Sequence, residues 1–291
     1  MIYVFMYKHR KEHRIAKMAK VLEVSESGYY KWLKRPPSKR AEEDLVLIRE
    51  IKKLFDKFRG IYGARKITVE LNRGRKRKIN HKRVERLMSE YQLFSKIKKA
   101  YVKTTDSDHD QKVADDLIKR DFEVTAPNEK MLSDTTFVRT RQGWLYVAAI
   151  LDMFGRIPVG LATSTKNNKE LALAALKDLH GRGHGAPGCI LHSDQGSTYC
   201  SDVYRAQADK YKLLCSMSRK GDCWDNAPME SFWGKLKTEW LDEIYDTIEE
   251  ARSAVYEYVW SFYTHIRIHA ANGYLTPAQY YAQGSTVQVI A

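Results

Sequence analysis

The hydrophobic pattern of the chain changes near residue 122, and this change limits the possible folds more than any other feature. Before it, apolar residues recur at helical spacing, as in the segment 41–58 with Leu47, Ile48 and Ile51. After it, short apolar runs of strand length follow one another, and Trp144–Leu151 is an uninterrupted run of eight apolar residues. We therefore expect a helical first part and a second part that contains a β-sheet.

The second part is predicted to be an α/β domain. Three candidate strands come first, and helices then alternate with two further strands, an order in which crossover connections make part of the sheet parallel. The predicted strands are Met131–Arg139, Trp144–Leu151, Ile157–Thr163, Cys189–Ser193 and Leu213–Met217, and the predicted helices are Lys169–Leu179, Asp202–Tyr211, Met229–Leu241 and Ile248–His265.

Positive charge is concentrated at the start of the chain. The 291 residues carry a net charge of +14, but residues 1–100 hold 29 Lys and Arg against 11 Asp and Glu, and the remainder holds 21 against 25. A basic front third indicates a polyanion-binding module, whereas the alternative is a basic surface kept for solubility. The 43% of hydrophobic residues excludes a wholly disordered chain. The apolar runs are shorter than the roughly 20 residues of a membrane span, so we expect no membrane association.

Residues 61–94 fit a helix-turn-helix DNA reader. A helix is predicted over Ala64–Leu71, a basic turn follows, and Asn80 is a good N-cap for a second helix. The alternative is an ordinary helical hairpin with a charged exterior. On the DNA reading, the candidate contacts are the basic residues of the turn and of the second helix, Arg75, Lys76, Arg77, Lys78, Lys82, Arg83 and Arg86.

The chain is predicted to divide into four parts. An N-terminal helical region covers residues 1–58, the basic helix-turn-helix region covers 59–100, a polar and aspartate-rich linker covers 101–121, and the α/β core with a helical tail covers 122–291.

Three carboxylates stand at positions suited to metal chemistry. Asp134 lies in the first predicted strand, Asp194 follows the fourth, and Glu230 begins the helix after the fifth, with 59 and 35 residues between them. Taken singly, Asp194 is an ordinary turn residue and Glu230 an ordinary acid at a helix start. Taken together on converging elements, the three would repel one another unless cations lay between them, and their hard oxygen ligands suit Mg²⁺ or Mn²⁺.

The motifs resemble those of the insertion-sequence-3 family of transposases, specifically their second-reading-frame product. The resemblance covers nearly the whole chain. It rests on YGARKIT and NHKRVERLM in the helical part, on SDTTF, WLYVAAILDMFGR, LHSDQGSTY and DNAPMESFWGKLKTE in the core, and on the tail HIRIHAANGYLTPAQY. This sequence departs from the family pattern at Met131 and Ser133, where the family usually has Trp and Thr, and at Tyr263-Thr264, where Tyr-Asn is more frequent.

The resemblance implies a ribonuclease-H-like core and a catalytic triad of Asp134, Asp194 and Glu230 with two Mg²⁺ or Mn²⁺ ions. It implies metal-dependent cleavage at insertion-sequence ends followed by 3′-hydroxyl strand transfer. The expected partners are double-stranded DNA (terminal inverted repeats and target), further copies of the chain on DNA, and a first-reading-frame partner or fusion segment. The first residues lack a secretory signal, so we expect a cytoplasmic protein of a prokaryote, nucleoid-associated when bound to DNA. A nuclease without strand joining and a non-catalytic DNA-binding regulator are the alternatives.

Several further residues carry weaker expectations. Lys237 lies seven residues after Glu230, which places both on one helix face, and the resemblance assigns a basic residue there to binding the element's end; the alternative is a solvated lysine. Asn226 is expected to cap the helix, with a DNA contact as the alternative, Trp233 to pack rather than stack on bases, and Asp152 to be a structural carboxylate. His192 is either a core histidine or a group that supports the site or contacts DNA, and Arg267 and His269 either contact DNA or form local salt bridges.

Overall fold

The first third of the chain is helical, as predicted. The structure, a computed structural model, describes residues 2–96, 113–218 and 226–287, with side chains described as far as residue 284. The first six helices are α1 (Ile2–Lys8), α2 (Ile15–Val21), α3 (Glu26–Lys34), α4 (Lys39–Lys57), α5 (Ala64–Asn72) and α6 (His81–Glu90).

Helices α4, α5 and α6 pack into one unit. Leu47 and Ile51 of α4, Ile67 and Leu71 of α5 and Val84 of α6 are buried in the same apolar cluster. The predicted domain boundary at residues 58 and 59 separates α4 from the two helices it contacts; the boundaries otherwise stay predictions. Of the predicted linker, residues 101–112 lie outside the described residues, whereas the backbone after residue 112 runs beside the last strand of the sheet.

A mixed five-stranded sheet forms the centre of the second part. Its order is β3-β2-β1-β4-β5, with β2 antiparallel to both β1 and β3, and β4 parallel to both β1 and β5. This confirms the predicted α/β, ribonuclease-H-like core, and it makes β1 the central strand. The strands are β1 (Lys130–Thr140), β2 (Gly143–Asp152), β3 (Ile157–Ser164), β4 (Ile190–Ser193) and β5 (Leu214–Met217).

Strand β2 is apolar throughout because helices cover both faces of the sheet. Val147, Ala149 and Leu151 belong to the core that includes the later helices, whereas Ala148 and Ile150 belong to a second core on the opposite face. The helices of this part are α7 (Lys169–Gly181), α8 (Ser197–Cys200), α9 (Asp202–Lys210), α10 (Ala227–Glu239), α11 (Ile248–Tyr256) and α12 (Pro277–Val287).

The helix predicted over Ile248–His265 changes type halfway. It begins at α11 with a capping box between Thr247 and Glu250, and from Glu257 to Ile266 it continues as a π-helix. Its end is held by a bond from the Arg267 N–H to the Phe262 carbonyl at 2.7 Å, five residues back. The tail then runs extended, with a short 3₁₀ turn at Ala270–Asn272, before α12.

Asp152 is a structural carboxylate, as expected from its place at the end of β2. It is fully buried and accepts backbone N–H bonds from Asn128 at 2.8 Å and Phe154 at 2.9 Å. The Tyr281 hydroxyl of α12 lies 3.2 Å from the same carboxylate. Burial raises the pKa of Asp152 to about 6. This carboxylate therefore ties the β2–β3 turn to the C-terminal helix.

The thiols of Cys189, Cys200 and Cys215 are free, and Cys223 lies outside the described residues. In the described ranges, none of the helices combines the length and the apolar character that a bilayer crossing requires.

Candidate active site

Asp134 lies on the central strand β1, opposite Ala149 of β2. One carboxylate oxygen accepts the Thr135 N–H at 2.7 Å, and the other accepts the indole N–H of Trp233 on α10 at 3.0 Å. Burial, followed by the negative charge of Asp194, raises the pKa of Asp134 to about 8 despite these two hydrogen bonds. The side chain is thus held in a fixed orientation in surroundings that disfavour its ionised form.

Asp194 directly follows β4, which runs parallel beside β1. One of its carboxylate oxygens accepts the Gly196 N–H at 3.0 Å. A Cβ at residue 196 would stand only 3.0 Å from that oxygen, so glycine permits this tight turn. Buried Tyr199 lies on the β1 side, 3.0 Å from the Thr135 hydroxyl. Burial and the charges of Asp134 and Asp194 raise the pKa of Tyr199 well above its ordinary value, which is consistent with both acids facing one space.

Glu230 lies in the first turn of α10 and is exposed. Its charge contributes to the raised pKa of Asp134, so the start of α10 faces the same region. Asn226 precedes this helix, but the prediction that it caps α10 is wrong. Its backbone ψ of 26° is not the extended conformation of a capping residue, and its side chain makes no cap hydrogen bond.

The structure places Asp134 and Asp194 in one cleft of about 460 Å³. Phe137, Trp144 and Tyr146 line the same cleft, which gives it an aromatic wall. Glu230 stands near it but not among its lining residues. In residues 2–96, 113–218 and 226–287, no three acidic, histidine or cysteine side chains lie close enough together to hold one metal ion.

Lys237 lies on the cleft side of α10, as predicted from its spacing to Glu230. Its ammonium stands 4.9 Å from the centre of the Phe137 ring. Burial lowers the pKa of Lys237, and the carboxylate of Asp134 partly opposes that effect. Lys235 points elsewhere, with its ammonium 3.2 Å from the Ser231 carbonyl oxygen.

The basic residues of the helix-turn-helix fall into two groups. Three arginines pair with carboxylates of α4: Arg75 with Glu50, Arg83 with Asp44 at 2.6 Å and with Glu43 at 3.3 Å, and Arg86 with Asp44 at 2.5 Å. Lys78 donates to the Asn72 carbonyl at 2.8 Å. Lys76, Arg77 and Lys82 are exposed. Helix α4 therefore neutralises part of the face that the sequence assigns to DNA.

Some important contacts were not foreseen. Trp233 was expected to pack rather than to stack on bases; it is buried, and it also donates a hydrogen bond to Asp134. Its position three residues after Glu230, on the same helix face, was the available signal. His192 is buried with Nδ1 2.8 Å from the Ser216 hydroxyl, which favours the core interpretation for that histidine.

Comparisons with known proteins agree with this architecture. The Integrase core domain family matches residues 124–223, a second Integrase core domain family matches 211–277, and the HTH-like domain family matches 41–101. The chain is 34% identical over 283 residues to the transposase InsF for insertion sequence IS3A of Escherichia coli K12, covering 96% of this chain and 98% of the relative.

The chain belongs to the IS3 family of transposases. This transposase is also 40% identical over 264 residues to the insertion element IS600 uncharacterized 31 kDa protein of Shigella sonnei, covering 90% of this chain and 97% of that protein. Among solved structures it is similar to the HTLV-2 integrase catalytic core domain in complex with magnesium, at 14% identity and a TM-score of 0.43, over 55% of this chain and 99% of that one. The transposase is thus an enzyme of the polynucleotidyl transferase class with an integrase core and an HTH-like domain.

Proposed function

We propose that the cleft between β1 and β4 is the active site, and that Asp134, Asp194 and Glu230 are its catalytic carboxylates. The observation that carries this proposal is the environment of Asp134. Trp233 holds one oxygen of its carboxylate, and burial, followed by the charges of Asp194 and Glu230, raises its pKa. Repulsion of this kind is relieved when cations bind between the carboxylates.

The donor set fits Mg²⁺ or Mn²⁺ because all three groups are carboxylates, the hard oxygen ligands these ions prefer. Asp134 and Asp194 would provide the inner ligands, and Glu230 would complete the set from α10. Two such ions supply activation of the attacking oxygen and neutralisation of the leaving oxygen in phosphoryl transfer. The HTLV-2 integrase core, whose structure contains magnesium, is the precedent among the similar proteins.

The chain's own residues would orient this reaction. Trp233 fixes one oxygen of Asp134 and the Gly196 N–H fixes one oxygen of Asp194, so both carboxylates are oriented before DNA arrives. Lys237, beside Asp134, would hold a phosphate of the element's end. Water first cleaves the 3′ end, and the freed 3′-hydroxyl then attacks a second phosphodiester, so no covalent protein–DNA intermediate is needed.

The partners follow from this chemistry. The terminal inverted repeats and target DNA are the proposed nucleic acids, and the basic helix-turn-helix supplies much of the nonspecific affinity. Two ends must be brought together, so the active form is at least a dimer assembled on DNA, with a first-reading-frame segment as a further partner. Its place of action is the nucleoid in the cytoplasm.

Strand transfer with labelled terminal-repeat DNA and Mg²⁺ tests this function. The wild-type chain, with and without the first-reading-frame segment, should nick the 3′ ends and join them to target DNA. Nicking without joining of a pre-cut 3′-hydroxyl end would favour a nuclease, and binding without metal-dependent nicking would favour a regulator. Either outcome contradicts the proposal.

A further inference from the structure

The tail after the π-helix brings two ionisable side chains into the interior. Arg267 and His269 lie on an extended segment, where alternate residues face the same side, and they are 5% and 7% exposed. The Tyr62 hydroxyl donates to the Ile266 carbonyl at 3.1 Å and accepts the Ile268 N–H at 2.9 Å. Tyr62, which precedes α5, therefore holds the tail by hydrogen bonds to the residues on both sides of Arg267.

Helix α5 contributes a cation to the same place. The Lys66 ammonium lies 4.8 Å from the centre of the Tyr62 ring. Burial, followed by the positive charge of Arg267, lowers the pKa of Lys66 to about 7. Lys66 is therefore a partly buried lysine in a positively charged environment, at the contact between the helical unit and the catalytic core.

Helix α10 supplies one anion and one more cation. Glu239 accepts the Arg267 Nε–H at 2.7 Å and an Nη2–H at 2.5 Å, and the Tyr258 hydroxyl donates to it at 2.9 Å. Lys235 lies four residues before Glu239, on the same helix face. Its charge contributes to the lowered pKa of Lys66, so it faces the same region. Arg267 and Tyr258 together donate three hydrogen bonds to Glu239, so most of the capacity of its carboxylate to accept hydrogen bonds is occupied.

The β2–β3 turn adds a fourth cation. The Asn272 side chain donates to the Gly155 carbonyl at 2.8 Å, which holds the turn, and the adjacent Arg156, against the tail. The charges of Arg267, Lys235, Arg156 and Lys66 all act on His269. We call them, together with His269, the cation cluster: Lys66, Arg156, Lys235, Arg267 and His269.

His269 brings a buried imidazole to the cation cluster whose hydrogen-bonding capacity is unused among the described residues. Both of its ring nitrogens are buried, and neither has a hydrogen-bond partner among the described residues. Burial, followed by the charges of Arg267, Lys235, Arg156 and Lys66, lowers its pKa to about 3, so the ring is neutral and carries one N–H. Buried polar groups of this kind are normally hydrogen-bonded, so the imidazole calls for a polar partner.

We propose that the cation cluster binds one phosphate group, with Lys66, Lys235, Arg156 and the His269 N–H as its ligands and Arg267 held in place by Glu239. The oxygens of a phosphate group accept hydrogen bonds from several donors at once, and its negative charge offsets positive charge of the cation cluster. A water molecule would satisfy the imidazole but is neutral, whereas surroundings in which burial and the charge of Arg267 lower the pKa of both Lys66 and His269 favour an anion. The source is either a DNA backbone phosphate, which rests on the DNA-cleaving function proposed above, or free inorganic phosphate.

Thermal unfolding of the full chain with inorganic phosphate tests the site without DNA or metal. At pH 6.5, where Lys66 is charged, phosphate replacing chloride at constant ionic strength should raise the wild-type Tm saturably. Lys66→Met and Lys235→Met should lose most of that rise, whereas Lys177→Met, which removes an exposed lysine of α7, should keep it. An equal rise in all four proteins, or none in the wild type, overturns the proposal.

A measurement on the wild type guards against variants that fail to fold. In histidine-labelled protein, the NMR resonance of the His269 imidazole, which stays neutral at mildly acidic pH, should shift saturably as phosphate is added. An imidazole signal that ignores phosphate contradicts the proposal.

Salt-dependent DNA binding then separates the two sources. If a DNA phosphate occupies the site, Lys66→Met and Lys235→Met should each lower duplex affinity and reduce the slope of log K against log salt by about one. If the slope is unchanged while the phosphate-dependent Tm rise is lost, free phosphate is the ligand. Because the thermal measurement requires no catalysis, its failure is distinct from failure of the proposed function.

Discussion

The proposed active-site cleft and the cation cluster are both unbalanced in charge, with opposite signs. At the start of α10, Glu230 faces the region of Asp134 and Asp194, and carboxylates predominate. At the end of the same helix, Glu239 is paired with Arg267, and the charges of four cationic side chains act on nearby His269. The two sites lie on one helix of 13 residues, so the binding of a cation at one end and of an anion at the other would act on the same rigid element.

In a third region, where α4 contacts α6 and the turn before it, positive and negative side chains of the protein pair with one another. Between α4 and α6, Arg83 and Arg86 share Asp44, and Arg75 pairs with Glu50. There each arginine has a carboxylate from the protein itself. On the proposals made above, each unbalanced site takes a ligand from outside, whereas the carboxylates of the balanced region would compete with such a ligand.

The largest expected effect comes from removing one of the three proposed catalytic carboxylates. Asp134→Asn, Asp194→Asn or Glu230→Gln should lower cleavage and joining by about 10³-fold or more, because the groups act as a unit. Duplex affinity should change little. Electrophoretic strand-transfer assays measure this, with Asp209→Asn, an exposed acid of α9, as the matched control. Near-normal joining by any of the three variants would remove that residue from the triad.

Loss of the Trp233 N–H should have the next largest effect. Trp233→Phe keeps an aromatic ring but deletes the hydrogen bond to Asp134, so the pKa of that carboxyl should rise further. We expect activity to fall about 10–100-fold, the usual cost of removing a group that orients a metal ligand. The rate should recover in part at higher pH or higher Mg²⁺. A uniform loss at every pH and metal concentration would indicate a purely structural role.

Opposite pH slopes of stability should distinguish the two unbalanced sites. Asp134 has a folded pKa of about 8 against 3.8 for the free group, so between these values the folded state keeps a proton that the unfolded state releases, and this site loses stability as pH rises. Asp134→Asn should therefore raise Tm near pH 8 in metal-free buffer, with little change near pH 4. Mg²⁺ should stabilise the wild type but not the variant. A variant Tm below that of the wild type at pH 8 would refute this account.

Lys66 should give the reverse slope. Its folded pKa is about 7 against 10.5 for the free group, so between these values the unfolded state holds a proton that the folded state lacks, and stability at this site rises with pH. Below about pH 7 the penalty is fully present. In phosphate-free buffer, Lys66→Met should raise Tm most below pH 7 and progressively less toward pH 10. The same Tm difference at every pH would contradict the prediction.

The smallest effect is expected where the charges already balance. Asp44→Asn should release Arg83 and Arg86 from their shared partner and strengthen nonspecific duplex binding a few-fold at low salt, since exposed ion pairs are worth little. The slope of log K against log salt should steepen. Glu85→Gln, an exposed acid of α6, is the control. Weaker binding by Asp44→Asn would mean that Asp44 orients the arginines rather than shielding them.

Local pattern was enough to predict most of the fold. All five strands were placed to within about a residue at most of their ends, because apolar runs such as Trp144–Leu151 leave few alternatives to a buried strand. The π-helical segment 257–266 was predicted as α-helix, since ten mostly apolar and aromatic residues fit either geometry. The choice depends on contacts made by the tail.

Side-chain contacts between elements far apart in the chain could not be predicted from the sequence. Trp233 and Asp134 are 99 residues apart, and Arg86 and Asp44 are 42 apart, so their hydrogen bonds depend on how whole elements pack. The burial of His269 among cations depends on four separate segments meeting. By contrast, the carboxylate positions could be predicted, because each stands at the end or centre of a recognisable element.

If the helix-turn-helix binds DNA as proposed, the ion pairs that α4 makes with α6 and with the turn before it also affect how quickly the transposase finds its element. A protein in search of a specific end spends most of its time on the far more numerous wrong sites, where contacts are purely electrostatic. Arginines that already hold Asp44 and Glu50 gain less from an arbitrary phosphate, so residence on wrong DNA shortens and the protein moves on sooner. Only an element end that also offers base contacts would compensate the arginines for exchanging their carboxylate partners for DNA phosphates. In this way the acidic face of α4 would shorten the time spent on nonspecific DNA and so speed the search.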